Sequence, residues 1–394
     1  MKPINICLVG QKFMGRTHSN AFLKVGKFFD CPRDPVMHTI CGRNLAELRE
    51  FQSRWGWKHA TTDWRAAVTD AQIHLVDIGT PNHLHKEMAI AALEAGKHVA
   101  CEKPLAGTLA DARDMLVAAR RAKQSKTFVW YNYRRCPAVA LAHQLARAGR
   151  LGRIYHVRAH YLQDWGGPDV PLLWRFQKKY AGSGAHGDLN AHIIDMARFI
   201  TGDEITEVVG SIAETFIKER AIVDEGPRGG IAGGTRGAKR KGKGDVDDAV
   251  LFLARFKQGA IATFEATRLA TGNQNKNGIE INGDKGSIRF NFEDMNYLDY
   301  YDATAERKVQ GWTRIMATHA PDHPYAGNWW PDAHILGYEH GFINQTADML
   351  NIIAGKKPVV PMPDFEDAYK TQQVLEAAIV SAEDRRAVKT AEME

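Results

Sequence analysis

The sequence predicts an α/β protein. An N-terminal doubly wound parallel sheet, residues 1–133, precedes an α+β domain, residues 134–394, built on a large, open, mostly antiparallel sheet. Three observations predict this. Short apolar runs alternate with amphipathic helical patterns as far as residue 125, the rhythm of βαβ units. A glycine-spaced loop follows the first apolar run. After residue 135 the rhythm gives way to strands of alternating polarity joined by tight turns, the pattern of an antiparallel sheet.

Taken in order, "INICLVG" is a strand and residues 16–26 a helix. "MHTIC" is the second strand, and "NLAELREFQSRWG" a helix closed by Gly56. "IHLVDIGT" is the third strand, followed by the helix "NHLHKEMAIAALEAGK", closed by Gly96. "HVACEKP" is the fourth strand, then comes the helix "TLADARDMLVAARRAKQS" and the strand "TFVWYNY". Right-handed crossovers align the C-terminal strand ends along one edge, where ligands bind. A helix over 137–147 leads to the strand "RIYHVRAHYLQDW", and a second helix covers 186–201. "EVVGSIAETFI", "DAVLFLARFKQGAIATFEAT", "NGIEINGDKGSIRFNF" and "YLDYYDA" supply the remaining strands, with turns at Lys257-Gln258-Gly259 and Gly283-Asp284-Lys285-Gly286. The Trp-, His- and Pro-rich stretch 306–338 reads as an ordered loop, and 339–354 and 364–385 as closing helices of the second domain.

A hydrophobic fraction of 44% with 25% charged residues is that of a soluble globular chain. No apolar run approaches the ~18–20 residues of a membrane span. The opening "MKPINICLVG" lacks a signal peptide's apolar core and cleavage site, so a cytoplasmic protein without membrane attachment is expected. Cys7, Cys31, Cys41, Cys101 and Cys136 are odd in number and scattered, which predicts buried free thiols. No His/Cys/Asp group has zinc-like spacing, and no catalytic metal is expected. The net charge of +6 is concentrated in "GPRGGIAGGTRGAKRKGKG", through Arg228, Arg236, Lys239, Arg240, Lys241 and Lys243. Without aromatic residues this stretch offers no stacking platform for bases. It reads as a solvated loop, not a nucleic-acid surface.

The loop "GQKFMG" keeps the first and third glycines of G-x-G-x-x-G, Gly10 and Gly15, but has Lys12 at the second. The first glycine serves the tight turn and the third helix–strand packing. Lys12 adds bulk and a positive charge, while a helix N-terminus behind Phe13 and Met14 still presents amides to a phosphate. A dinucleotide site is therefore expected. The second strand ends in "CGRN". No acid stands there for a ribose 2′-hydroxyl, and Arg43 beside Gly42 suits a 2′-phosphate or stacking on adenine. These two positions lean toward NADP.

"VGxxxMGxxH" through His18, "TPNHLH" (Thr80 to His85), "EKP" (Glu102 to Pro104), "NYRR" (Asn132 to Arg135) and "GDLNAHIID" (Gly187 to Asp195) occur in this order. With them the whole chain resembles the Gfo/Idh/MocA oxidoreductase family, named for glucose–fructose oxidoreductase, inositol dehydrogenase and rhizopine catabolism. "YLQDW", "WRFQK", "AGSG" and "HPY" are most similar to its levoglucosan dehydrogenase branch, which leans toward NAD. The cofactor implied is NAD or NADP.

The resemblance implies that Lys103, Asp188 and His192 surround the hydroxyl being oxidised. Asp188 and His192 are four residues apart, which puts both on one helix face, and Asp195 continues that face and could orient them. Imidazole titrates near neutrality and suits His192 as base. Lys103 can share the hydroxyl and stabilise oxyanion charge, while Asp188 can hold substrate hydroxyls. The resemblance further implies cofactor contacts from Thr80, Pro81, Asn82, His85, Glu102, Lys103 and Asn132, with Trp174 and Arg175 reaching the cofactor from the second domain. It also implies a cis bond before Pro104. Substrate-pocket candidates are Tyr133, Arg135, Gln163, Asp164, Trp165, Lys178, Arg268, His323, Tyr325, Trp330 and Tyr338, because aromatic faces and polar groups suit a polyhydroxylated ring. Asn190 stands where relatives often carry glycine.

The function expected is NAD(P)-dependent oxidation of a ring secondary hydroxyl, C3 favoured, of a pyranose, anhydrosugar, glycoside or cyclitol. A redox-neutral glycosidase using transient C3 oxidation and a non-catalytic sugar or nucleotide sensor are the alternatives. A homodimer or homotetramer joined through the C-terminal sheet is expected.

Overall fold

The computed structural model describes residues 2–223 and 240–393. They form two compact units: 2–132 with 338–369, and 133–223 with 240–337 and 370–393.

The first unit begins with β1 (Lys2–Val9), α1 (Phe13–Phe28), β2 (Arg33–Cys41) and α2 (Leu45–Trp55). Then follow β3 (His59–Thr61), α3 (Trp64–Thr69), β4 (Leu75–Ile78), α4 (His85–Glu94), β5 (His98–Cys101), α5 (Leu109–Arg121) and β6 (Thr127–Val129). Its six strands are parallel, in the order β3-β2-β1-β4-β5-β6. The order reverses beside β1, where open α/β sheets bind their ligands. β4 and most of β1 and β5 are buried, as expected of strands covered on both faces. Asn44 caps α2 by accepting from the amides of Ala46 and Glu47, and Gly56 closes it at φ 79°. That left-handed conformation suits glycine.

The second unit opens with α6 (Pro137–Arg147), β7 (Ile154–Leu162), α7 (Lys178–Ala181) and α8 (Ala191–Thr201). Strands β8 (Ile205–Glu214), β9 (Glu219–Ile222), β10 (Arg240–Lys243), β11 (Ala249–Phe256), β12 (Ile261–Thr267), β13 (Lys276–Gly283), β14 (Gly286–Asn291), β15 (Tyr297–Asp302) and β16 (Trp312–Met316) follow. The chain closes with α9 (Tyr338–Ile353), α10 (Phe365–Asp384) and β17 (Val388–Lys389). Nine strands run β16-β15-β14-β13-β7-β12-β11-β8-β17. Only the β7–β12 pair is parallel. α8 packs on β7 and β13, and α6 on β14 and β15. β11 shows why one face is covered: Val250, Phe252, Ala254 and Phe256 point inward, while Leu251, Leu253 and Arg255 point out. Ile212, Leu251, Leu253 and Ile261 together leave an exposed apolar area on the outer face.

Several elements differ from the sequence reading. α9 returns to the first unit and packs on α1, and Gln345 Nε2 donates to the Val129 carbonyl at 2.8 Å. β3 and α3 were unassigned because three and six residues are too few to display a period. The stretch read as a loop contains β16, an edge strand in which Trp312, Thr313 and Arg314 are all exposed, so it has no alternation to read. Arg240, Lys241 and Lys243 of the basic stretch lie on β10, paired with β9 in a separate two-stranded ribbon. Arg228, Arg236 and Lys239 lie outside the described residues. All five cysteines are free and buried. Among the described residues no helix is long and apolar enough to cross a membrane.

Candidate active site

In the first unit the glycine loop is built as its spacing requires. Gly10 has φ 116°, donates to the Cys41 carbonyl at 2.8 Å, and lies so close to β4's end that a Cβ would sit 2.6 Å from the Gly79 carbonyl oxygen. A Cβ on Gly15 would sit 2.1 Å from the Gly10 carbonyl oxygen. Both positions therefore exclude any side chain. α1 starts at Phe13, with Lys12 as its N-cap residue and no side-chain cap, which leaves first-turn amides for an anion. This cradle fits a dinucleotide pyrophosphate. Met14 packs over Gly79, and Phe13 stacks on Tyr338 at 6.2 Å. Lys12 Nζ lies 2.5 Å from Glu47 Oε2 on α2. Arg43 is exposed.

At the end of β4, Thr80 and Pro81 lead into a 3-10 turn over Asn82–Leu84. His85 is fully buried. Its ring nitrogens lie 3.0 Å from the Thr80 carbonyl oxygen and 3.2 Å from those of Pro104 and Leu105. His85 thus stitches the end of β4 to the segment after β5. Burial lowers its pKa.

Glu102 and Lys103 directly follow β5, and the Lys103–Pro104 bond is cis. Glu102 is buried and takes part in a polar cluster the sequence did not reveal. His18 on α1 presents Nδ1 to Asp77 Oδ2 at 2.9 Å and Nε2 to Glu102 Oε1 at 3.0 Å. Trp130 Nε1 donates to Asp77 Oδ1 at 2.8 Å, the Lys103 amide donates to Glu102 Oε2 at 3.1 Å, and the indole stacks on the imidazole at 4.1 Å. Both imidazole nitrogens face carboxylates, and only imidazolium can donate from both. Burial pulls the His18 pKa down, but Asp77 and Glu102 outweigh it and raise it to about 9. A pKa raised on folding contributes stability that is full below the unfolded value of 6.5 and is lost as pH rises through about 9. We expect roughly 3 kcal/mol to disappear across that window. Urea midpoints measured at pH 6 and above pH 9 should show the fall, and His18→Gln should flatten it.

In the second unit, Asp188 and His192 flank the junction of a π-helical turn, His186–Asn190, with α8. Such turns recur at functional sites. Asp247 builds this one: its carboxylate accepts from the amides of Gly184 and His186, each at 2.7 Å. His186 bonds the Leu375 carbonyl through Nε2 at 2.8 Å, and Asn190 Nδ2 donates to His186 Nδ1 at 2.9 Å. Asn190 thus has a bonding role that glycine cannot fill. Asp195, which its spacing put on the face of Asp188 and His192, is held from another element. It receives Arg134 through both oxygens, at 2.8 and 2.5 Å, with both side chains buried. The helix face read from spacing ignored a partner 61 positions away.

His192 is 7% exposed, with its ring 4.6 Å from that of Tyr133 and 5.9 Å from that of Tyr161. The two tyrosine hydroxyls are 2.7 Å apart. Tyr161 donates to Asn275 Oδ1 at 2.7 Å, Gln163 Nε2 donates to the same oxygen at 2.8 Å, and Trp165 Nε1 donates to Gln163 Oε1 at 2.6 Å. Burial pushes the Tyr133 phenol well above its usual pKa, and Tyr161 adds to this. Tyr133, Gln163, Trp165 and His192 are therefore brought together. Tyr161 and Asn275 complete the array, and the alternation of "YHVRAHYLQ" put Tyr161 on the same face as Gln163.

Arg268 is 1% exposed. Its guanidinium donates to the carbonyls of Gly184 at 2.7 Å and Arg175 at 3.2 Å and pairs with Asp188 at 3.1 Å. It fixes Asp188 from within the protein. Arg135 is fully buried in the turn after β6, and Asn132 at that turn's start is buried. Arg175 lies over the Trp174 ring at 4.5 Å. Lys178 is exposed at the start of α7. His323 Nδ1 accepts from the His319 amide at 3.0 Å, and burial lowers its pKa. Tyr325 is buried at φ 64°. Asp164 accepts from the Gly272 amide at 3.1 Å, and Trp330 is exposed.

Comparison with known proteins places the chain in one family. Residues 4–131 match the family model described as oxidoreductase family, NAD-binding Rossmann fold, and residues 139–289 match the GFO/IDH/MocA C-terminal domain. Levoglucosan dehydrogenase of Pseudarthrobacter phenanthrenivorans is 41% identical over 386 residues, 97% of each chain. A crystal structure of an oxidoreductase domain protein from Kribbella flavida superposes with a TM-score of 0.91 at 46% identity, covering 99% of this chain and 100% of that one. A levoglucosan dehydrogenase complex with NADH and levoglucosan superposes with a TM-score of 0.90 at 40% identity, covering 98% and 99%.

Proposed function

Because the chain belongs to the Gfo/Idh/MocA family and is an NAD(P)-dependent oxidoreductase, we propose that it oxidises a ring secondary hydroxyl, C3 favoured, of an anhydrosugar or pyranose. The observation that carries this reading is the seat of His192. A nearly buried imidazole stands against two tyrosines at one end of a hydroxyl–amide–indole array. Such an array offers alternating donors and acceptors to a polyol, and aromatic faces to its C–H surface. Similarity to levoglucosan dehydrogenase over the full length supports the substrate class.

In this reading His192 takes the hydroxyl proton, Lys103 stabilises the developing alkoxide, and Asp188, held by Arg268, accepts hydrogen bonds from neighbouring hydroxyls. A bound nicotinamide dinucleotide would supply the acceptor for the hydride of the carbinol carbon. Gly10, Gly15 and the first turn of α1 would hold its pyrophosphate, and Glu102, fixed by His18, would meet its ribose hydroxyls. Thr80, Pro81, Asn82, Asn132, Trp174 and Arg175 are further candidates for cofactor contact.

The test follows nicotinamide absorbance with NAD and with NADP across levoglucosan, glucose, simple glucosides and inositols. The expected result is reduction with an anhydrosugar or pyranose, and a 3-keto product by NMR. Absence of reduction with every carbinol refutes the reading, and aglycon release without net reduction replaces it with the redox-neutral glycosidase. The exposed apolar area at Ile212, Leu251, Leu253 and Ile261 supports a second copy docking on the outer sheet face. Light scattering should give at least twice the 43.9 kDa chain mass, reduced by Leu253→Asp. A monomer at micromolar concentration rules this out.

A further inference from the structure

In a Rossmann unit the residue that reads the adenosine ribose stands at the end of the second strand. Here that end carries no acid. β2 finishes at Cys41, Gly42 follows, and a Cβ on Gly42 would lie 2.0 Å from Gln11 Oε1. The space an acidic side chain would use is filled by Gln11, reaching back from the glycine loop. Gln11 leads to a carboxylate from another element. Its Nε2 donates to Glu47 Oε2 at 3.3 Å, and Lys12 Nζ lies 2.5 Å from the same oxygen. Asn44 Nδ2 donates to Glu47 Oε1 at 3.5 Å, and Asn44 caps the helix turn that carries Glu47. Arg43 is close enough for its charge to act on this carboxylate.

We infer that Glu47 supplies from α2 the acid that the end of β2 lacks, and that its pairing with Lys12 sets this chain's preference for NAD over NADP. This rests on the reading of the chain as a dinucleotide-dependent dehydrogenase. The chemistry follows from charge. A ribose diol donates to a carboxylate. A 2′-phosphate dianion is repelled by one, and the cation nearest the loop, Lys12, is already engaged by it. Arg43 and Lys12, the cations acting on this carboxylate, are offset by Glu47. The pair is half-exposed, with side chains 59% and 46% accessible, so its worth to stability is small. A purely structural pairing therefore predicts no change in cofactor choice when it is removed.

The experiment titrates the full chain with NADH and NADPH by nicotinamide fluorescence, and measures kcat/KM with NAD and NADP on the best substrate. The parent is expected to bind NADH more tightly. Glu47→Gln keeps the size and the helix turn but removes the charge, and should tighten NADPH by about tenfold, one charge-assisted hydrogen bond's worth, while weakening NADH. Adding Lys12→Ala to Glu47→Gln should take the NADPH gain away. A ratio of NADH to NADPH affinity unchanged by Glu47→Gln overturns the assignment, as does a parent that prefers NADPH. A parent that binds neither dinucleotide overturns the dehydrogenase reading itself and the assignment with it.

Discussion

Alanine at Lys103 or at His192 is expected to lower kcat by about 10²- to 10⁴-fold, the usual worth of a positioned proton-transfer group, while NADH affinity stays within a few-fold of the parent. The two side chains have separate structural supports, so the losses have separate causes. Lys103 follows Glu102, whose carboxylate accepts the Lys103 amide and is itself held by His18. Truncating the lysine beyond Cβ leaves that backbone bond in place and removes the ammonium with its methylene stem. His192 sits at the start of α8 with its ring against Tyr133, and alanine suits that helix position. If both groups serve one proton, the double variant should cost little more than the worse single one, since residues acting as a unit are not additive. Fully additive losses would mean that they serve different steps. Unchanged turnover in either single variant removes that residue from the mechanism.

The parts of this molecule that follow from local pattern were legible in the sequence, and the parts that depend on distant partners were not. Gly10 and Gly15 could be assigned because a tight turn and a helix–strand contact each demand a missing Cβ, and each Cβ would strike backbone. The parallel rhythm and the switch to alternating strands were visible because strand and helix periods differ. Arg268 stood among the substrate-pocket candidates because aromatic faces and polar groups suit a polyhydroxylated ring. The fold instead turns it inward onto Gly184, Arg175 and Asp188. Glu47 was missed although a signal existed. Asn44 and Glu47 have capping-box spacing, which puts the glutamate in the first turn of the helix after β2. Its meeting with Gln11 and Lys12 spans 36 and 35 positions and needs the βαβ crossover to be built. The same holds for His18, whose carboxylate partners lie 59 and 84 positions away. α9 gave a correct helix but the wrong unit, because an amphipathic face does not say which neighbour covers it.

The largest effect on stability is expected at Asp195. Its carboxylate receives the Arg134 guanidinium through both oxygens, and both side chains are almost inaccessible, at 2% and 4%. The guanidinium also lies over the Phe199 ring at 5.0 Å. Asp195→Ala leaves a buried cation without its bidentate partner, a change that costs about 3–5 kcal/mol, a large part of the stability of an ordinary domain. Asp195→Asn keeps the shape and one acceptor and should cost less. Replacing both residues with apolar side chains of similar volume should recover most of the loss, because the penalty comes from the unmatched charge and not from the missing attraction. Urea midpoints of the four proteins test this, and equal midpoints for the parent and Asp195→Ala would show the pair to be energetically idle. The pair also bears on the reaction. Arg134 is the neighbour of Tyr133, and Asp195 lies one turn beyond His192 on α8, so the bond that anchors the helix also fixes the distance between the Tyr133 and His192 rings. A folded Asp195→Asn protein should therefore lose kcat with little change in dinucleotide affinity. That split would mark Asp195 as a positioning residue whose effect on the chemistry is transmitted through α8.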